Sequence, residues 1–245
     1  MTALPVEPHP SPNHGERTEG PIDILILHYT GMPDADQALA WLCNPESKVS
    51  SHYFVFEDGR TLSLVPEERR AWHAGASRWG GSLDINSRSI GIEIANPGHD
   101  GGLPDFPDAQ VEALIALCRD IVGRHPIPAH RVLAHSDVSP GRKVDPGERF
   151  PWARLGAAGI GHWVEPEEIG ESDDARRSGD GGTHVEPLQQ MLALYGYGIE
   201  ITGAFDRQTK AVVTAFQRHF RPERVDGIAD RSTVETLRKL LEALP

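Results

Sequence analysis

The sequence predicts an α/β domain with a central, mixed β-sheet flanked by helices, followed by a small three-helix domain. Three observations carry this. Apolar runs at residues 22–27 and 89–95 read as buried strands, residues 108–124 have the periodicity of an amphipathic helix, and the composition changes sharply after Trp163.

In chain order, residues 23–29 form the first strand. Residues 34–43 have helical spacing, with Ala38, Leu39 and Leu42 on one side and Asp34 or Asp36 near the N-cap. Residues 52–57 alternate like a strand, Asp58-Gly59 marks a turn, and residues 61–65 pair back as a hairpin. The strand at 89–95 carries Glu93 among apolar neighbours. In the helix at 108–124, Val111, Leu114, Ile115, Leu117, Cys118 and Ile121 share a face. A short strand at 131–134 then delivers His135. Beyond the break, helices are predicted at 185–194 (Leu188, Met191, Leu192), 206–220 (Val212, Val213, Phe216, Phe220) and 232–241 (Val234, Leu237, Leu240, Leu241), with glycines punctuating the turns.

The segment 164–183 is acidic, bears Gly and Ser, and has almost no large apolar residues, so it reads as a linker that cannot fold alone. The organisation is therefore a tail at 1–20, an α/β domain at 21–163, the linker at 164–183 and a helical domain at 184–245. The last is expected to be a separate unit supplying no catalytic group. A chain of 245 residues, 38% hydrophobic, has room for two domains.

A net charge of −12 argues against nucleic acid or an anionic membrane as partner. No apolar run approaches the roughly 18 residues needed to span a bilayer. The first twenty residues lack the apolar core of a secretory signal, so the cytoplasm is the expected compartment, with the periplasm as the alternative if a leader has been removed. A monomer is expected. Cys43 and Cys118 are far apart, without a Cys-x-x-Cys partner, and read as reduced core thiols.

The chemistry concentrates in His135-Ser-Asp-Val-Ser-Pro-Gly-Arg-Lys143-Val-Asp145 and in His28, which ends the first strand. Each residue alone has an ordinary reading: a rim histidine, a turn aspartate, a solvated lysine. Jointly, two histidines and a carboxylate at strand ends or adjoining loops of one domain are enough to hold zinc with one position open. Glu93 in an apolar strand should face a polar cleft, where it can take a proton from water and pass it to a leaving amine. Lys143, two residues before Asp145, can stabilise charge on a carbonyl oxygen. This points to metal-assisted amide hydrolysis.

Residues 20–163 resemble the zinc-dependent N-acetylmuramoyl-L-alanine amidases, the group of AmpD- and AmiD-like enzymes. The matching segments are ILILHYTG (24–31), SSHYFVFEDGRTLSLVPEERRAWHAGAS, SIGIEIAN (89–96) and AHSDVSPGRKVDPGERFPW. The resemblance implies zinc ligands His28, His135 and Asp145, the acid/base Glu93 and the stabilising Lys143, with no departure at these five positions. It also suggests that His52, Tyr53, Trp72 and His73 lie near the substrate groove, and Asn96 and Arg142 are further candidate contacts. The segments LQQMLALYGY, GAFDRQTKAVVTAFQRHF and VDGIADRSTVETL resemble a three-helix peptidoglycan-binding domain. The implied activity is hydrolysis of the amide between N-acetylmuramic acid, or its 1,6-anhydro form, and L-alanine of the stem peptide, in cell-wall recycling or turnover. The implied partner is peptidoglycan or its muramyl-peptide fragments. The rival is a non-catalytic sensor of such fragments, which retention of all three ligands counts against.

Overall fold

The structure, a computed structural model, describes residues 5–170 and 174–244. Two short strands, β1 (Val6–Pro8) and β2 (His14–Glu16), precede the apolar β3 (Ile24–Tyr29). Then come α1 (Ala35–Cys43), β4 (Tyr53–Val55), β5 (Thr61–Ser63) and β6 (Arg69–Ala71). The four-residue α2 (Ile85–Arg88) leads into β7 (Ser89–Ile94) and the long α3 (Asp108–Arg124). Last in this part are β8 (Val132–Ala134), α4 (His135–Val138) and α5 (Trp152–Ala157).

The main sheet has the order β1-β5-β4-β7-β3-β8. Strands β4, β7, β3 and β8 are parallel, β5 is antiparallel to β4, and β1 is parallel to β5, so the sheet is mixed, as its sequence predicts. The central strands β3 and β7 are buried on both faces, which is why their sequences are continuous apolar runs rather than alternations. Leu25 and Leu27 pack with Ile90, Ile92 and the Val111, Leu114, Leu117 and Ile121 face of α3. The intervening Ile24 and Ile26 belong to a second apolar cluster on the opposite side. Register decides the rest. His28 lies beside Glu93, and Leu27 beside Ala134, so the C-terminal ends of three neighbouring parallel strands deliver His28, Glu93 and His135 to one place. Ligand sites gather at such ends in open α/β sheets.

Residues 5–17, read from sequence as tail, are part of the fold; residues 1–4 lie outside the described residues. Strand β1 extends the sheet along β5, and β2 pairs with β6. Ser11 Oγ donates to the Leu42 carbonyl, and Asn13 Nδ2 donates to the Asn44 and Val49 carbonyls. Arg17 donates to the Glu67, Ser87 and Ser89 carbonyls. Backbone and polar bonds hold this segment, and they leave no hydrophobic period to read.

The C-terminal part is built from α6 (Glu186–Tyr195), α7 (Arg207–Phe220) and α8 (Arg231–Glu242). Asp206 and Asp230 cap α7 and α8 by accepting from Thr209 N and Thr233 N. Two buried glutamines repeat one device. Gln189 Oε1 accepts from Thr202 N and Gly203 N, and its Nε2 donates to the Ala204 carbonyl and Thr209. Gln217 does the same for Asp226 N, Gly227 N, the Ile228 carbonyl and Thr233. Each glutamine thus fixes the turn before the next helix.

The expected separation between the two domains is not what the structure shows. Ile24, Ile26, Trp79, Leu133 and Val138 share one buried cluster with Leu192, Tyr197, Phe216 and Leu237. Trp79 meets Tyr195 and Tyr197 edge to face, Tyr197 Oη donates to Asp137 at 2.7 Å, and Gly80 N donates to the Gly196 carbonyl. The segment read as a linker, of which 171–173 lie outside the described residues, packs on the helices too. Glu167 N donates to Thr236 Oγ1, Ser232 donates to the Glu167 carbonyl, and Lys239 pairs with its carboxylate at 2.9 Å. Low hydrophobicity marked this segment as a spacer, yet side-chain and backbone hydrogen bonds dock it.

Candidate active site

Three ligand-type atoms converge at the strand ends. His28 Nδ1 lies 2.9 Å from His135 Nδ1 and 3.1 Å from Asp145 Oδ2, and His135 Nδ1 lies 2.9 Å from the same oxygen. All three residues are buried. His28 ends β3, His135 opens α4, and Asp145 returns on a loop closed by Ser136 N donating to the Asp145 carbonyl at 3.1 Å.

Hydrogen-bond directions show what this triangle is built for. Ser89 Oγ donates to the Ile85 carbonyl at 2.6 Å, so it accepts from His73 Nε2 at 3.2 Å. His73 Nδ1 is then unprotonated and accepts from His28 Nε2 at 3.0 Å, which leaves His28 Nδ1 with a bare lone pair. His135 Nε2 donates to the Ala74 carbonyl at 3.1 Å, so its Nδ1 is bare as well. Two nitrogen lone pairs and a carboxylate oxygen therefore face one another at about 3 Å with no proton between them. A cation would satisfy all three, and a two-His, one-carboxylate set suits zinc with one position left open.

The charges agree. Burial, then the neighbouring His135, pushes His28 down to about 4, so it is neutral near pH 7. Burial alone would raise the Asp145 carboxyl, but positive charge beside it, at His135 and then at His28, outweighs burial and holds it well below its usual range; with both rings neutral, a bound cation would supply that charge. His73 is lowered well below the usual histidine value by burial and by the neighbouring histidines.

A cavity of about 390 Å³ opens over this triangle. Glu93 and Lys143 line it, together with Met32, Trp41, Leu42 and Trp72. Glu93 Oε2 is buried and has no hydrogen-bond partner among the described residues. Burial, then the charge of Asp145, raises this carboxyl well above the ordinary range, and Lys143 opposes them. A carboxyl so placed can exchange a proton with whatever enters the cleft.

Family matches fit this geometry. The model of the N-acetylmuramoyl-L-alanine amidase family matches residues 18–148, more than half of the chain, including all five residues just described. The chain belongs to the N-acetylmuramoyl-L-alanine amidase family. A peptidoglycan-binding domain model matches residues 181–237 of this amidase. It is 39% identical over 233 residues to N-acetylmuramoyl-L-alanine amidase AmiD of Escherichia coli, covering 90% of this chain and 83% of that protein. It is 33% identical to the 1,6-anhydro-N-acetylmuramyl-L-alanine amidase AmpD of Enterobacter cloacae, covering 60% of this chain and 87% of that one. Among solved structures, the complex of E. coli AmiD with anhydro-N-acetylmuramic acid-L-Ala-D-γ-Glu-L-Lys superposes with a TM-score of 0.77 at 37% identity, covering 92% and 91% of the two chains. AmpDh3 of Pseudomonas aeruginosa bound to an anhydromuramic pentapeptide gives 0.76 at 32%, covering 96% and 95%.

The substrate-contact candidates divide. Trp72, His73 and Arg142 line the cavity, although His73 chiefly braces His28, and Arg142 is tied to the Ala74 and Ala76 carbonyls. His52, Tyr53 and Asn96 do not line it. His52 is fully buried behind the site, with Nδ1 accepting from Gly91 N and Nε2 donating to the Arg69 carbonyl. Tyr53 points its hydroxyl at Glu67, and Asn96 shapes a loop through Gly98 N and the Pro104 carbonyl. A strand alternates faces, so adjacency in sequence to a groove residue does not place a side chain in the groove. Sequence reasoning missed the brace of Ser89 and the Ala74 carbonyl. A serine opening a strand and a backbone oxygen carry no signal of their own.

Proposed function

We propose that this amidase hydrolyses the bond between N-acetylmuramic acid, or its 1,6-anhydro form, and L-alanine of the peptidoglycan stem peptide, with zinc held by His28, His135 and Asp145. The observation that supports this most is the convergence of three lone pairs beside an unpartnered carboxyl, at the floor of a cleft. A zinc ion bound there supplies a Lewis acid toward the scissile carbonyl and lowers the pKa of a water. Glu93 is the proton carrier. Its Oε2 accepts a proton from the attacking water and returns it to the nitrogen of the departing L-alanine. Lys143, which lines the same cavity, brings positive charge to the oxygen on which negative charge develops. The apolar walls at Met32, Leu42 and Trp72 exclude bulk water and strengthen these interactions.

Substrate choice follows from the relatives, whose structures hold anhydromuramyl peptides. The test is incubation of zinc-loaded protein with anhydro-N-acetylmuramic acid-L-Ala-D-γ-Glu-L-Lys. Release of the free tripeptide with an intact anhydro sugar is expected. Cleavage within the peptide, or binding without cleavage, would overturn the assignment.

A further inference from the structure

The segment from His135 to Glu148 carries two of the three ligand-type residues, and it lies along α7 of the C-terminal part. Contact is made at both ends and at the apex. Near one end, two residues after His135, buried Asp137 accepts from His219 Nδ1 at 2.6 Å and from Tyr197 Oη at 2.7 Å. The same carboxylate accepts from Ala134 N at 2.8 Å and so caps the turn that presents His135. At the other end, three residues after Asp145, Glu148 faces Arg218 at 3.6 Å and His99 at 3.1 Å. At the apex, Gly141 has a φ of 75°, and a Cβ there would come within 3.1 Å of Ala211 on α7. His219 also stacks on Trp152, just past the loop, with ring centroids 3.7 Å apart. Adjacent residues of one helix, Arg218 and His219, thus pin the two ends of the ligand loop.

We propose that α7 is a splint for the metal site: Arg218 and His219 are positioning residues that hold His135 and Asp145 at ligand spacing. The inference rests on the zinc reading above. It gives the C-terminal part a task besides any contact with the cell wall, and it accounts for the buried seam between the two parts. Outer partners of metal ligands typically change metal affinity 10- to 100-fold when removed. Here the partners come from another part of the fold and act through the loop.

The test uses the full-length protein and measures zinc affinity by chelator competition, together with the visible spectrum of the cobalt-substituted protein. Arg218→Ala, at the partly exposed end, is expected to weaken zinc binding about tenfold and to alter the cobalt bands. Arg218→Lys should recover part of the loss. His219→Asn, which keeps a donor toward Asp137, should fall between His219→Ala and the parent. Leu62→Ala, buried in the separate apolar cluster between β4, β5 and α1, serves as the control for stability alone. It should lower the melting temperature with zinc affinity and cobalt bands unchanged. If Arg218→Ala and His219→Ala bind zinc like the parent, or if Leu62→Ala shifts affinity equally, the splint is wrong and the zinc reading stands. If the parent protein itself binds no zinc, both fall.

Discussion

Replacing Gly91 by alanine adds one methyl group against the face of His73. Gly91 lies in β7 outside the left-handed region, so its backbone accepts alanine, and the effect is steric. The new Cβ would sit 2.5 Å from His73 Cγ, 2.6 Å from Nδ1 and 2.7 Å from Cδ2. Carbon atoms in contact prefer about 3.5–4.0 Å, so the ring must retreat by about 1 Å. His73 Nδ1 now accepts from His28 Nε2 at 3.0 Å. A retreat of that size takes the pair past about 3.5 Å, where the bond is lost. With it goes the constraint that keeps the His28 Nδ1 lone pair aimed at the site. The expected loss of zinc affinity is about 10- to 100-fold, or about 1.4–2.7 kcal/mol, and overpacking costs a further ~1–3 kcal/mol of stability. Chelator competition reads the first and thermal unfolding the second. The double substitution Gly91→Ala/His73→Asn restores room and keeps an acceptor, and it should regain part of the affinity. If Gly91→Ala folds and binds zinc as tightly as the parent, the His73 brace does not position His28.

Further predictions address the chemistry and the buried histidine. Glu93→Gln should keep zinc and fold but lose about 10²–10⁴-fold in kcat, read by release of stem peptide; near-normal turnover would assign the base elsewhere. Lys143→Ala should cost about 10²–10³-fold in kcat with zinc content unchanged. His52 is neutral in the fold, pushed down to about 3 by burial and then by the Arg17 charge. Its folded pKa lies below the unfolded value, so its contribution is intact above about pH 6.5 and is lost as pH falls toward 3. The slope is about 1.4 kcal/mol per pH unit for one proton. His52→Asn should remove that part of the acid sensitivity in denaturant midpoints measured across the window.

The sheet and the five site residues were legible because each left a mark in local pattern. The strand at Ile24–Tyr29 is a continuous apolar run ending in a histidine, and Glu93 interrupts another such run. The helix at Asp108–Arg124 has a periodic face that names its own core. What escaped was held by bonds between distant polar groups. Strand β1 is three residues long, exposed at each of them, and fixed by pairing with β5. Arg17 reaches carbonyls 50 to 72 residues away, which no local window contains. The seam between the two parts is a further case. In sequence, Asp137 is an unmarked position between His135 and Lys143, and Tyr197 and His219 lie in segments that resemble a helical domain. Their meeting belongs to the tertiary fold.

The most direct test of the central claim is a zinc titration of metal-stripped, full-length protein, following cleavage of anhydro-N-acetylmuramic acid-L-Ala-D-γ-Glu-L-Lys. The account predicts no turnover without metal, a linear rise to one equivalent of zinc per chain, and then a plateau, with Asp145→Ala failing to rise at that stoichiometry. Full activity in the stripped protein, or an undiminished rise in Asp145→Ala, would contradict it.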